Sequence, residues 1–126
     1  MTPIYLFDIA SQQARWLSLR QATVATNIAN ANTPGFTARD VRPFQDILDS
    51  TQLGTTVTNP MHISTGPVDL PASTKKNADP WETTQSGNTV SVEQEMLKAG
   101  QVSRSYSLTT NVLKAFNNML LSSVKG

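Results

Sequence analysis

Cysteine is absent from this chain and histidine occurs once, at His62. No disulfide can staple the fold, and a zinc site built from Cys and His ligands is excluded. The chain therefore does not depend on an oxidising compartment. Charge is sparse as well: charged residues make up 15%, against about 25% in a typical soluble domain. The formal net charge is +1, and no basic stripe interrupts the sequence, so nucleic acid is not an expected partner. No apolar run approaches the roughly 18 residues that a membrane span needs. The opening stretch from Met1 to Asp8 has no basic region and carries an early acid, so it is not expected to act as a secretory signal peptide. If the chain leaves the cytoplasm, something other than a cleaved signal takes it there.

What remains is uncharged polarity. Ser, Thr, Asn and Gln supply 45 of the 126 residues. Leu, Ile, Val and Phe supply 29, or about 23%, just above the level of roughly 20% that suggests disorder. The length suits one domain, or one domain with an extension. Its core is expected to be thin. Small domains in that position compensate with disulfides or a metal, and neither is available. The remedy left is assembly with other chains.

Two long helices are legible at the ends, so the fold class is mainly α. From about Ile4 to Asn30 no Gly or Pro intervenes. Ala10, Ala14, Leu17, Val24, Ile28 and Ala31 recur at the spacing of a helix that packs on other helices, with Gln21 interrupting. Trp16 and Leu19 fall off this seam and predict a second buried face. At the other end, Ser91-Val92-Glu93-Gln94 fits a capping box, and Glu93, Glu95 and Lys125 suit the helix dipole. Ala99, Val102, Tyr106, Thr109, Leu113, Phe116 and Leu120 then alternate in steps of three and four. Val92, Met96, Val112, Leu121 and Val124 broaden the apolar face. Gly100 lies inside this pattern at a cost of about 1 kcal/mol. It implies either a weak point in the helix or close approach by another backbone.

Between the ends the texture changes, giving an expected division into residues 1–35, 36–86 and 87–126. Thr33-Pro34-Gly35 stops the first helix, because Pro excludes helical geometry at Thr33 and Pro-Gly favours a type II turn. A short amphipathic piece follows at Phe44–Leu48. From Ser50 to Ser86, Thr, Ser, Asn, Gly and Pro dominate, with brief β-prone runs such as Thr55–Thr58. The middle reads as an irregular, partly β arm, mobile or ordered by a partner, with at most a small hairpin.

Active-site chemistry is missing. A nucleophile needs a base and an orienting group, and His62 sits alone in a turn-rich stretch. Ser73/Lys76 and Ser122/Lys125 match the spacing of Ser-Lys hydrolases without their companion motifs. Asp40, Asp46 and Asp49 flank the amphipathic piece and read as its solvated face rather than as a glycosidase pair. No Gly-rich phosphate loop is present. Neither enzyme, metal nor cofactor is expected.

The stretch Ala25-Thr26-Asn27-Ile28-Ala29-Asn30-Ala31-Asn32-Thr33-Pro34-Gly35-Phe36 resembles the NNxANxxTPGY signature of bacterial flagellar rod and hook proteins, with Phe36 for Tyr and Thr26 for the first Asn. Thr37-Ala38-Arg39-Asp40-Val41, Thr58-Asn59-Pro60-Met61-His62-Ile63 and Gly87-Asn88-Thr89-Val90-Ser91-Val92-Glu93-Gln94-Glu95-Met96 are similar to the KARDV, TxPxHI and GNxVxxExEM stretches of the proximal rod proteins of FlgB type. The family motif residues are Asn27, Ile28, Ala29, Asn30, Thr33, Pro34, Gly35 and Phe36. The resemblance implies a structural subunit of the basal-body rod in the periplasm, exported by the flagellar type III apparatus without a cleaved signal. It implies contacts with other copies of the chain, with other rod proteins, and with the membrane ring or its rod adaptor.

The expected architecture pairs the terminal helices antiparallel, in a coiled-coil-like unit whose outward faces join neighbours. The packing and assembly residues are expected to be Ala10, Ala14, Leu17, Val24 and Ile28 on the first helix. On the second they are Met96, Val102, Tyr106, Leu113, Phe116 and Leu120. Asn27, Asn30 and Asn32 are poor helix formers that can bind backbone at a helix end. Two other classes share parts of this pattern: a cytoplasmic helical adaptor or export chaperone, and a small hydrolase resting on His62.

Overall fold

The computed structural model describes residues 3–52, 74–76 and 79–126. Helix α1 runs Pro3–Ala29, strand β1 Arg39–Val41, helix α2 Phe44–Gln52, strand β2 Thr74–Lys76 and helix α3 Val92–Lys125. The His62 stretch, the β-prone run at Thr55–Thr58 and most of the expected middle arm lie outside the described residues.

α1 and α3 pack antiparallel. Phe7 meets Phe116 edge to face with ring centroids 5.9 Å apart, Thr109 Oγ1 reaches Gln13 Oε1 at 3.1 Å, and Arg20 Nη2 donates to Gln101 Oε1 at 3.4 Å. Positions rising along α1 thus meet positions falling along α3. At 1.5 Å per residue the two helices are about 40 and 50 Å long. Ala10, Leu17, Val24 and Val102 are buried along the pair. Ala38, Val41 and Val90, contributed by the segments between the helices, complete the buried apolar set among the described residues.

Local chemistry explains where the helices stop and start. α1 unwinds through Ala31 N–H to the Ile28 carbonyl and Thr33 N–H to the Asn30 carbonyl. The chain then turns at Thr33–Phe36, closed by Phe36 N–H on the Thr33 carbonyl at 3.2 Å. Gly35 has φ +71°, the positive value that the third residue of a type II turn demands and that a Cβ disfavours. At the other boundary Ser91 caps α3, its hydroxyl accepting from Gln94 N–H at 3.4 Å. The Gln94 side-chain amide donates to the Asp79 carbonyl at 2.9 Å, tying the approach segment to the helix start.

β1 and β2 form a two-stranded antiparallel ribbon, with Arg39 opposite Lys76, Asp40 opposite Lys75 and Val41 opposite Thr74. The second face expected for α1 is occupied at Trp16. Its indole N–H donates to the Arg42 carbonyl at 2.7 Å, and its ring lies 5.9 Å from that of Phe44 at the start of α2. Gly100 does not break α3, and among the described residues no other backbone approaches it: a Cβ there would meet only Arg104 Nη1, at 3.9 Å.

Candidate assembly surface

The end of the molecule where α1 stops and α3 begins is held by asparagine side chains acting as backbone. Asn27, 1% exposed, donates through Nδ2 to the Arg39 carbonyl at 2.7 Å and accepts the Arg39 N–H on Oδ1 at 3.1 Å. One amide thus pairs with both polar groups of a residue entering β1, as a neighbouring strand would. Asn88, 2% exposed, donates to the carbonyls of Asn30 and Thr33 at 2.8 and 2.7 Å and accepts from Val90 N–H at 2.8 Å. One side chain satisfies three backbone groups, two of them 55 and 58 residues away in sequence. Around them, Gly35 N–H reaches the Ser86 carbonyl at 2.8 Å, Thr89 N–H the Phe36 carbonyl at 3.1 Å, and Ala38 N–H the Thr89 hydroxyl at 2.8 Å. Gly87, beside Gly35, has φ +80°, a conformation that a side chain would strain.

An ionic cluster fastens the ribbon to both helices beside this junction. Asp40 takes Lys98 Nζ on Oδ2 at 3.3 Å and faces Arg20 Nε from Oδ1 at 3.6 Å. Lys98 Nζ also pairs with Glu95 Oε1 at 3.3 Å. Glu95 is wholly buried, and its Oε2 has no hydrogen-bond partner among the described residues. The Arg20 guanidinium lies 5.4 Å from the Trp16 ring centroid. Asp40 was expected on a solvated face with Asp46 and Asp49. Those two are exposed, but Asp40 is drawn inward because Arg20 and Lys98 converge on it from separate helices.

The residues read as packing and assembly positions fall into three environments. Ala10, Leu17, Val24 and Val102 are buried, and Ala14, Leu113, Phe116 and Leu120 are half-buried along the helix pair. Ile28, Met96 and Tyr106 are exposed. Of the motif residues, Asn27 is buried and Asn30 and Phe36 half-buried, whereas Ile28, Ala29, Thr33, Pro34 and Gly35 face solvent. The Asn30 amide turns back to the Thr26 carbonyl at 2.8 Å. Asn88, Glu95 and Lys98 were not read as site residues. The i,i+3 spacing of Glu95 and Lys98 was the one local signal of their pairing.

Among the described residues two apolar surfaces remain uncovered. Leu108, Val112, Ala115 and Met119 recur in steps of four, three and four along the outward side of α3, all exposed. Leu121 and Val124 extend exposed apolar surface to the end of that helix. On the other side, a groove of ≈ 640 Å³ opens between the helices above Leu17 and Val102, with Ala22, Ala25, Ala99 and Ser103 in its walls and Tyr106 at its side. Among the described residues no group of three or more His, Cys, Asp or Glu could hold a metal ion. No described helix is long and apolar enough to cross a membrane.

The family described as flagella basal body rod protein matches residues 16–37, which take in the end of α1 and the Thr33–Phe36 turn. The chain is 44% identical to the flagellar basal body rod protein FlgB of Agrobacterium fabrum, over 99% of this chain and 96% of the relative. It is 33% identical to the FlgB of Aeromonas hydrophila over 86% and 84% of the two chains. Identity to the FlgB of Escherichia coli is 30%, over 75% and 74%.

Proposed function

The chain belongs to the FlgB family of flagellar basal body rod proteins and is a structural subunit of that rod, and on that premise we propose that it assembles through its two terminal helices. α1 and α3 form the packing unit, and their outward faces join neighbouring subunits in the helical axle that transmits torque. Residues 1–35 and 87–126 supply the rod-core parts, and residues 36–86 form an arm between them. The neighbours are other copies, other rod proteins, and the membrane ring or its rod adaptor. The rod runs through the periplasm, and the chain reaches it by type III export without a cleaved signal. Its duty is mechanical rather than catalytic.

The observation that carries this reading is the outward stripe of α3. Four apolar or small residues at Leu108, Val112, Ala115 and Met119 stand in solvent at coiled-coil spacing. A helix burying only one of its apolar faces is completed by a further helix against the other. Contacts of this head-to-tail type need not close, and so generate helical arrays. Nothing favours the adaptor or chaperone reading.

Electron microscopy of basal bodies from a strain lacking the chain tests the proposal. Loss of rod and hook with the membrane ring retained, restored by the intact gene, is the expected result. Normal rods and hooks in that strain would overturn it.

A further inference from the structure

We propose that the groove between α1 and α3 is the seat for the C-terminal turns of α3 from a second copy of this chain. This inference rests on the assembly reading above and names one of its contacts. The two surfaces lie at different levels of the same molecule. Phe7 of α1 meets Phe116, so Pro3 lies near the level of Leu120 and the last turn, Leu121–Lys125, runs past the first described turn of α1. That turn presents Leu121 and Val124, the latter 86% exposed. The groove sits lower, above Leu17 and Val102. Twenty-two helical residues separate Val102 from Val124, about 33 Å, so a chain cannot fill its own groove with its own rigid helix end.

The shapes and charges agree on the occupant. Ala22, Ala25, Ala99 and Ser103 make walls low enough for a helix to approach closely, and the floor is apolar. Along α3 the Ser103–Ala99 wall continues through exposed Met96 to Val92 and Glu93, in helical steps of four, three and four. Residues 99–126 hold Arg104, Lys114 and Lys125 and no acid. The entering helix end is therefore basic, and Glu93 stands exposed on α3 below the groove wall, with Glu82 exposed in the segment that leads to it. The ribbon bases do not oppose this. The ribbon and α2 lie against Trp16 and Arg20, on the side of α1 opposite Ala22 and Ala25. Attraction between the basic residues Lys114 and Lys125 of the entering helix and exposed Glu93 favours a head-to-tail approach, and a contact between two different patches propagates rather than closes.

The absence of native cysteine makes the test clean. Val124→Cys is combined in the full chain with Ala22→Cys, Ala25→Cys or Ser103→Cys, and cells carrying each variant are oxidised before basal bodies are isolated. A disulfide forms only where Cβ atoms come within about 4.5 Å. The expected result is a band at twice the chain mass, with higher multiples, in at least one groove pair. It should be missing from each single variant and from Val124→Cys with Ser11→Cys, an exposed position outside the groove. Chain present in intact basal bodies with no such band from any groove pair would overturn the inference and leave the rod assignment standing. A cross-link from the Val124 cysteine to a protein of different mass, without the doubled band, would also overturn it. Absence of the unsubstituted chain from basal bodies, prepared in parallel, would overturn the rod assignment itself.

Discussion

The two ends of the helix pair are built on opposite principles. Where α1 ends and α3 begins, polar side chains are buried and almost all are satisfied: Asn27 and Asn88 bind backbone, and Arg20, Asp40, Glu95 and Lys98 interlock. Where α1 begins and α3 ends, the contact is a thin seam of Ala10, Phe7, Phe116 and Leu113, with large apolar side chains standing in solvent on the far side. Hydrogen bonds with directional partners specify one arrangement of the chain that makes them. Exposed apolar surface specifies only that something else must cover it. The junction therefore belongs to the subunit, and the helix tips belong to the assembly. Substitutions in the first region should be felt by the isolated chain, and those in the second mainly by the rod.

The largest effect on the isolated chain is expected at the ionic cluster. Lys98→Met removes the cation from wholly buried Glu95, and breaking a buried pair in this way costs about 3–5 kcal/mol. Urea unfolding of the purified chain, followed by circular dichroism, measures it. Adding Glu95→Leu should regain part of the loss, since an apolar pair removes the stranded charge. An unchanged midpoint for Lys98→Met alone would show that the cluster does not hold the junction. Asn88→Ala comes next. It leaves two carbonyls and one N–H without their partner, and should cost about 2–3 kcal/mol. Amide hydrogen exchange at Val90 gives a local check, because that N–H loses its acceptor.

These same residues mark the limit of what the sequence could say. The long helices were legible because their signal is local: Leu17 to Val24 and Leu113 to Phe116 repeat at helical spacing. The turn at Pro34-Gly35 and the Ser91 cap were legible for the same reason, and the off-seam position of Trp16 announced its second contact. Asn27, by contrast, sits one residue before Ile28 and takes the inward place expected for it, because its partner at Arg39 arrives from the ribbon. Asn88 works across 55 residues or more. Asp40 draws its two cations from different helices. A pattern confined to neighbours three and four apart has no access to such pairings. Of the assembly surface, the apolar positions were legible, whereas which of them stay exposed depends on the path of α3 over α1.

Met119→Asp sharpens the contrast between the two regions. Met119 is largely exposed on the outward stripe, so the isolated chain should keep its stability within about 0.5 kcal/mol. In the assembled rod the same aspartate would be an unpaired charge pressed into an apolar contact, a strongly unfavourable burial. Swimming in soft agar and electron microscopy of basal bodies should both show loss of rods. A destabilised chain would place Met119 in the subunit's own packing, and normal swimming would remove the outward stripe from the assembly.

Gly100→Ala carries the smallest effect and the opposite sign. The residue lies inside α3 with negative φ, and the only atom near a Cβ placed on it is the mobile tip of Arg104. Alanine there should stabilise the isolated chain by about 0.5–1 kcal/mol, through its higher helix propensity and a less flexible unfolded state. Thermal unfolding by circular dichroism reads the shift directly. Because none of the described residues uses the open space at Gly100, the rod is the place where it could matter. A raised unfolding temperature with unimpaired swimming would make Gly100 a neutral position in both regions of the comparison. A raised temperature with lost rods would instead locate a neighbour's backbone against α3 at that turn, beside the groove wall at Ala99 and Ser103.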